Sequence, residues 1–467
     1  MAGLDRRRLG PLAVFAQSVS GAAPSAAMAA TPAIVAATAG GGTVWSFVIA
    51  TGLALLIASC IARFTRRMAA TGGVYSLTAK GLGPAAAFAA ALASLVGYGL
   101  LAAAALAGVA LYLDALVGEV VGRGVGSSVG SLGHVLIVLV AGLSVGVLVV
   151  RGVRLSARVV LLAESCSIAL MLVVFTLLIA GGMPDGAPVA TPDPGPGGIV
   201  VGVLPALAAF IGFEIATLLG AEARTPFRSV PRAVTLTAAV TGVLYVFAAQ
   251  VQVLGFATTP GGLAGQAEPV IALAAAKGWG WIPALLDVGL VMSFFACALA
   301  TSTALARVVF SLARDGVVPA ALGRTHRRFR TPHVAIAAAL PVVVGVLVAA
   351  LVARVPLGTV LVAVLTAATC GFLLAYLLVC AAAPVFLHRI GELTTAAVVV
   401  SAVIVPILAI VFVAFVASTP SAVGLLVGVA AVGVAGYLWL RVRRADALAA
   451  IGVYDETTTA DVLVPRA

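Results

Sequence analysis

Apolar runs of about 18 residues or more follow one another along almost the whole chain, each long enough to carry a helix across a hydrocarbon core of about 30 Å. That recurrence excludes most folds. In lipid every backbone N–H and C=O must be satisfied internally, which leaves helices and closed barrels as the only spanning structures. The alternating strand pattern of a barrel, about ten residues per strand, is absent. The expected fold class is therefore an all-α integral membrane protein. Composition agrees: 63% of the 467 residues are hydrophobic and 9% are charged, where a soluble domain carries about a quarter charged residues.

Twelve spans are predicted, at roughly 11–39, 42–62, 84–113, 133–150, 157–182, 199–220, 233–256, 281–312, 333–353, 356–384, 394–417 and 421–440. The formal charge of +11 would suit a nucleic-acid partner, but its placement has another explanation. With the N-terminus in the cytoplasm, only Arg123, Lys277 and Arg354 of the 27 Lys and Arg fall on the outer side. This is the positive-inside bias that sets orientation. It favours an even number of spans and places both termini in the cytoplasm of a cell whose plasma (inner) membrane holds the protein. The expected partner is the bilayer, not nucleic acid.

Inner loops such as "RGVRLSARV" and "RDGVVPAALGRTHRRFRTPH" are short and basic, whereas outer loops such as "GGMPDGAPVATPDPGPGG" are rich in Gly, Pro and acid. None is long enough to form a separate soluble domain, and residues 441–467 read as a polar cytoplasmic tail. The N-terminal "RRRLGPLAVFAQ" has the order of a secretory signal. Its apolar run is long, however, and its removal would leave an odd number of spans. It is expected to remain as the first span, after a cytoplasmic segment 1–10. Cys60, Cys166, Cys297, Cys370 and Cys380 stand singly inside predicted helices with no metal spacing, as small apolar packers do.

Two spans contain residues that disfavour helix. The first reads "QSVSGAAPSAAMAATP", with Gly21, Pro24 and Pro32; the sixth reads "LPALAAFIGFEIATLLG", with Pro205 and Gly212. Proline removes a backbone donor, and glycine in mid-helix costs about 1 kcal/mol. At membrane depth a broken helix is tolerated only where its freed backbone groups are buried in protein or line a cavity. Interrupted segments at matching positions in two halves of a chain point to a transporter site. Gly and Pro are also common in ordinary transmembrane helices, so two kinked helices remain the plainer alternative.

The stretches "FIGFE" and "AEARTPFRSVPRA", then "ALARVVFSLARDGVVPAALGRTHRRFRTPHVA" and "AYLLVCAAAPVFLHR", resemble the corresponding segments of the amino acid–polyamine–organocation (APC) permeases. The resemblance runs from about residue 11 to 440. It implies the LeuT-like fold: two inverted five-helix repeats, at 11–182 and 199–384, then two additional helices at 394–440, with helices 1 and 6 discontinuous. One departure stands out. The family's first helix usually unwinds at Gly-Ser-Gly shortly before a proline, where this chain has Ser25, Ala26 and Ala27 after Ala23 and Pro24.

A broken helix offers free N–H groups and positive partial charge at one end, suited to carboxylate, and free carbonyls at the other, suited to ammonium. By this logic and by the resemblance, Ala23, Pro24, Ser25, Ala26 and Ala27 line one side of a site for an amino acid or amine. Phe210, Ile211, Gly212 and Phe213 line the other. Tyr98 on span three and Thr301 on span eight are further candidates, and Phe213 suits either a gate or plain packing. Thr301 and Ser302 would hold the ion in a sodium-coupled relative, although such hydroxyls also bond to their own preceding turn.

Glu214 and Glu164 are acids at membrane depth, costly to ionise and functional candidates by default. Proton coupling and a structural clamp both fit them. Glu222, with Arg224 and Arg228 at the inner end of span six, reads as an ion-pair cluster or cytoplasmic gate. Asp287 reads as interfacial. No HExxH or P-loop motif is present, and the four histidines lie near loops. An enzyme, a metal site and a cofactor are therefore not expected. The function expected is a secondary active transporter importing an amino acid or related amine by alternating access with a coupling proton. An exchanger, a sodium symporter and, more remotely, an amino-acid sensor are the alternatives. Apolar lining favours a neutral or small substrate.

Overall fold

Proline at 24 dictates the first departure from a simple bundle. Its ring disfavours the right-handed helical region for the residue before it, and Ala23 lies outside that region, in a left-handed conformation at φ 43°. Proline is at home in the first turn of a helix, so the chain stops as α1 (Pro11–Gly21) and restarts as α2 (Pro24–Ala39). In this computed structural model, which describes residues 7–120, 129–182, 195–266, 268–418 and 420–452, the described residues fold into helices and turns, with one isolated bridge between Leu9 and Ala223.

After α2 come α3 (Thr43–Thr65), a short α4 (Val74–Leu82), α5 (Pro84–Val120), α6 (Gly130–Arg151) and α7 (Val153–Ala180). The broken sixth span begins with α8 (Gly195–Ala208). Then follow α9 (Pro226–Gly255), α10 (Pro269–Ala276), α11 (Ile282–Arg314), α12 (His333–Val352) and α13 (Leu357–Arg389). The chain closes with α14 (Thr395–Ser418), α15 (Pro420–Arg443) and α16 (Ala445–Ala449). Among the described residues, ten helical stretches are long and apolar enough to cross a membrane. The first, Pro11–Thr65, holds two crossings divided by the turn at Gly40–Gly42. Adding the interrupted α8 segment brings the crossings to twelve.

Five crossings precede α8, so α8 enters from the opposite side to α1. The second set of five therefore runs inverted with respect to the first, and a broken element opens each set. The core is built where α5 packs against both α11 and α13, and where α3 packs against α9. The last two spans sit at the edge and leave Val413, Val432 and Val442 largely exposed. Such faces suit lipid.

The sixth span is discontinuous, as expected: its helix ends at Ala208 and the chain resumes as a 3-10 segment, Ile215–Leu219. Pro205 stays inside the helix, and the break forms at Gly212, whose φ of 98° is open to glycine and strained for other residues. The basic stretch after span two contains α4, which is buried on most sides through Val74, Tyr75, Leu77 and Thr78. Part of the tail is docked: Leu448 and Ile451 are buried, and the N–H of Gly452 donates to Asp315 Oδ2 at 3.0 Å. Residues 453–467 of that tail, 1–6 of the N-terminal segment, and Arg123 lie outside the described residues.

Candidate functional site

The two helix breaks meet backbone to backbone. A Cβ placed on Gly21 would lie 2.6 Å from the carbonyl oxygen of Gly212, and one placed on Gly212 would lie 2.5 Å from the carbonyl oxygen of Gly21. Only glycine at both positions permits this approach. Tyr245 of α9 clasps both breaks, donating to Ala209 O at 2.9 Å and lying 3.4 Å from Ala22 O. Ser18 of α1 donates to Phe213 O. Cys297 of α11 lies 3.5 Å from Gly21 O. Each contact satisfies a carbonyl freed by a break, as burial requires.

Of the residues expected on the first break, Ala23, Pro24, Ser25 and Ala26 are buried and Ala27 is half-buried. The N–H of Ala27 bonds to Ala23 O, so Ser25 and Ala26 present the first amides of α2. Opposite them, Phe210, Ile211 and Phe213 are buried and flank the turn of Gly212. Phe210 packs edge-on against Tyr245 with centroids 5.0 Å apart. The arrangement brings the positive end of α2 and the negative ends of α1 and α8 into one buried region.

Glu214 joins that region to two more helices. Its Oε1 accepts from Tyr98 of α5 at 2.7 Å, and its Oε2 accepts from Tyr376 of α13. The same Tyr376 hydroxyl lies 3.4 Å from the N–H of Gly212. Protonation would convert an acceptor-only carboxylate into a donor, which must reorganise bonds that reach the break itself. Glu164 of α7 is separate from this triad. It accepts from Ser293 of α11 at 3.1 Å. Ser293, Cys297 and Thr301 recur every four residues and so share one face of α11.

Thr301 bonds to its own helix, to Cys297 O at 2.6 Å, and Ser302 is buried. The ion-pair cluster has a different composition from that expected. Arg224 and Arg228 are exposed, whereas Glu222 is held by Arg307 of α11, with N···O distances of 2.6 and 3.2 Å. Both partners are nearly fully buried. Sequence proximity suggested the neighbouring arginines, but Arg224, in the bend before α9, and Arg228, in its first turn, face outward. Asp287, expected at the interface, lies near the start of α11 with its side chain buried against protein. The first described residues complete the closure: the N–H groups of Arg8 and Leu9 donate to Glu222 O, and that of Arg224 donates to Leu9 O.

Tyr376, Tyr245 and Arg307 were not singled out from the sequence. The available signal was polarity at mid-span, since the chain has only seven tyrosines and Arg307 interrupts an apolar run.

A sequence model of the amino acid permease family matches residues 9–439. The chain belongs to this family. It is thus a member of the APC superfamily and a multi-pass membrane protein. It is 26% identical over 314 residues to the branched-chain amino acid permease BcaP of Bacillus subtilis, covering 64% of this chain and 66% of that one. It is 28% identical over 349 residues to the human cationic amino acid transporter 4, covering 70% of this chain and 53% of that one. The alignments thus span 66% and 53% of these relatives' lengths. Among solved structures, a manganese transporter of Eremococcus coleocola matches with a TM-score of 0.55 at 16% identity, over 95% of this chain and 94% of that one. That likeness speaks for the fold, the LeuT-like arrangement of inverted repeats.

Proposed function

We propose that this permease is a secondary active transporter that imports an amino acid or related amine by alternating access, coupled to a proton. The observation carrying the proposal is the contact of the two breaks at Gly21 and Gly212, which gathers opposite helix-end charges around one buried region. A carboxylate would sit at the amides of Ser25 and Ala26, and an ammonium at carbonyls of the Phe210–Phe213 turn. Backbone groups supply the polar contacts, and the alanine and phenylalanine side chains select for a neutral or small substrate. The relatives' names support the amino-acid class: one is a branched-chain permease, another a cationic amino acid transporter.

In this proposal Glu214 carries the coupling proton, with Glu164 as a second acid on the α7–α11 side. When Glu214 takes up a proton it becomes a donor toward Tyr376 or Tyr98. The hydroxyl of Tyr376 is then drawn from Gly212, and the break is free to move. The Glu222–Arg307 pair and the N-terminal segment form the gate on the N-terminal side. The repeats extend over 11–182 and 199–384, the protein lies in the plasma (inner) membrane, and both termini are cytoplasmic.

The test is uptake of a labelled panel of amino acids and polyamines by proteoliposomes under an imposed pH gradient without sodium. Saturable uptake of one member, abolished by a protonophore, is the expected result. Uptake that needs sodium would replace the proton, and uptake that needs a counter-substrate would make the protein an exchanger. Binding without turnover would make it a sensor.

A further inference from the structure

A second constellation lies away from the helix breaks, on the N-terminal side of the membrane. A cavity of about 360 Å³ is lined by Arg151, Arg154 and Arg158 around the α6–α7 junction and by Arg328 and Arg330 before α12. No described carboxylate pairs with any of these five. Glu222, which also lines the cavity, is engaged by Arg307. Orientation by the positive-inside rule needs basic residues in a loop; it does not need five of them gathered around one concavity with no described carboxylate paired to them.

The loop that brings two of the arginines there is held in shape. Thr331 Oγ1 donates to Val150 O at 2.8 Å, tying the loop to the end of α6. The ring of His326 accepts the N–H groups of Arg328 and Phe329 at 3.2 and 3.3 Å. Arg330 sits at φ 52°, a left-handed conformation. Phe329 and Arg151 line this cavity and also a second one, of about 600 Å³, which continues from it between α6 and α12.

That second cavity is an apolar groove open at the protein's outer surface, walled by residues such as Leu143, Val147, Leu340 and Val344. Along α6 it reaches from Val150 to Leu139, eleven residues or about 16 Å at about 1.5 Å per residue. Half of a hydrocarbon core of about 30 Å is about 15 Å. The groove's length therefore matches one leaflet, and the arginine cavity lies at its polar end.

We propose that this is a binding site for an anionic phospholipid, its phosphate held by the arginines and one acyl chain lying in the groove between α6 and α12. Guanidinium groups match phosphate oxygens with paired N–H donors, and basic pockets between spans are known lipid-headgroup sites in membrane proteins. The site commits to a lipid over a soluble anion because a free phosphate would leave the contiguous groove unused. The proposal needs a bilayer but not the transport reading, and its assay does not measure transport.

The full chain is reconstituted in phosphatidylcholine vesicles with an equal share of phosphatidylglycerol and gently extracted, and the retained lipid is counted by native mass spectrometry. Retention of phosphatidylglycerol over phosphatidylcholine by at least about ten-fold is expected, on the basis of about five-fold per basic residue at the surface. The R154Q/R158Q/R330Q variant should lose that preference. V147W, which fills the groove at a lipid-exposed position, should lose the retained lipid with every charge intact. Millimolar inorganic phosphate should not displace it. Retention unchanged in the arginine variant would reduce the arginines to orientation signals and overturn the site. Retention unchanged in V147W, with displacement by phosphate, would make this a soluble-anion site and overturn the lipid. If the arginine variant fails to fold, V147W and the phosphate competition still decide.

Discussion

Adding one carbon at Gly212 tests whether the two breaks touch. In G212A the new Cβ would stand 2.5 Å from Gly21 O, 2.6 Å from Gly21 C and 3.1 Å from Gly21 Cα, all backbone atoms. Ordinary contact begins near 3.4 Å, so the breaks must separate by roughly 1 Å or the turn must refold. Separation strains the Ser18–Phe213 bond and the clasp of Tyr245, each worth about 1 kcal/mol net. The φ of 98° adds about 1–2 kcal/mol for a residue with a Cβ. The expected loss is about 3–4 kcal/mol.

G21A meets the opposite carbonyl, Gly212 O at 2.6 Å, and the Ile215 side chain at 2.4 Å, but has no positive φ, so it should lose about 1–2 kcal/mol less. The double variant should fall short of the sum, because one displacement relieves both contacts. Unfolding of the purified chain and uptake in proteoliposomes are the assays, with at least about a ten-fold fall in uptake expected for G212A, since an error of about 1 Å in positioning is costly. Wild-type stability and uptake in G212A would refute the crossing of the breaks and, with it, the location of the site.

Four further outcomes follow from the polar contacts. E214Q keeps the shape but cannot exchange a proton, so uptake should lose its dependence on the pH gradient; an unchanged profile removes Glu214 from coupling. Y376F deletes the hydroxyl between Glu214 and Gly212 and should cost about 1–3 kcal/mol in thermal unfolding, with no loss expected if the tyrosine merely packs. E222A leaves the buried Arg307 without its carboxylate and should destabilise by about 3–5 kcal/mol; a wild-type melting curve would show that the pair contributes nothing. T301A removes a hydroxyl already bonded to its own helix, so uptake should stay within about two-fold with or without sodium, in keeping with a net hydrogen-bond worth of about 1 kcal/mol or less. A selective loss of sodium-stimulated uptake would revive ion binding there.

The twelve crossings were legible because each depends on a local quantity, the length of an apolar run against the thickness of lipid. The broken spans were legible for the same reason: Pro24 restricts Ala23, and Gly212 alone in its turn tolerates a φ of 98°. Glu214 drew notice by being an acid at depth. What remained hidden was pairing. Glu222 has three arginines close in sequence, yet its partner Arg307 is 85 residues away on α11. Tyr98 and Tyr376, 116 and 162 residues from Glu214, reach it from two helices that also pack on one another. A helix turns neighbouring side chains to different faces, and which face meets which helix is decided by packing. The sequence by itself thus determined where the chain crosses lipid and which two spans carry residues that can break them. The tertiary structure alone decided that the breaks meet at two glycines and which distant hydroxyls and guanidinium satisfy the acids, because those contacts depend on the placement of helices and not on any local preference of the chain.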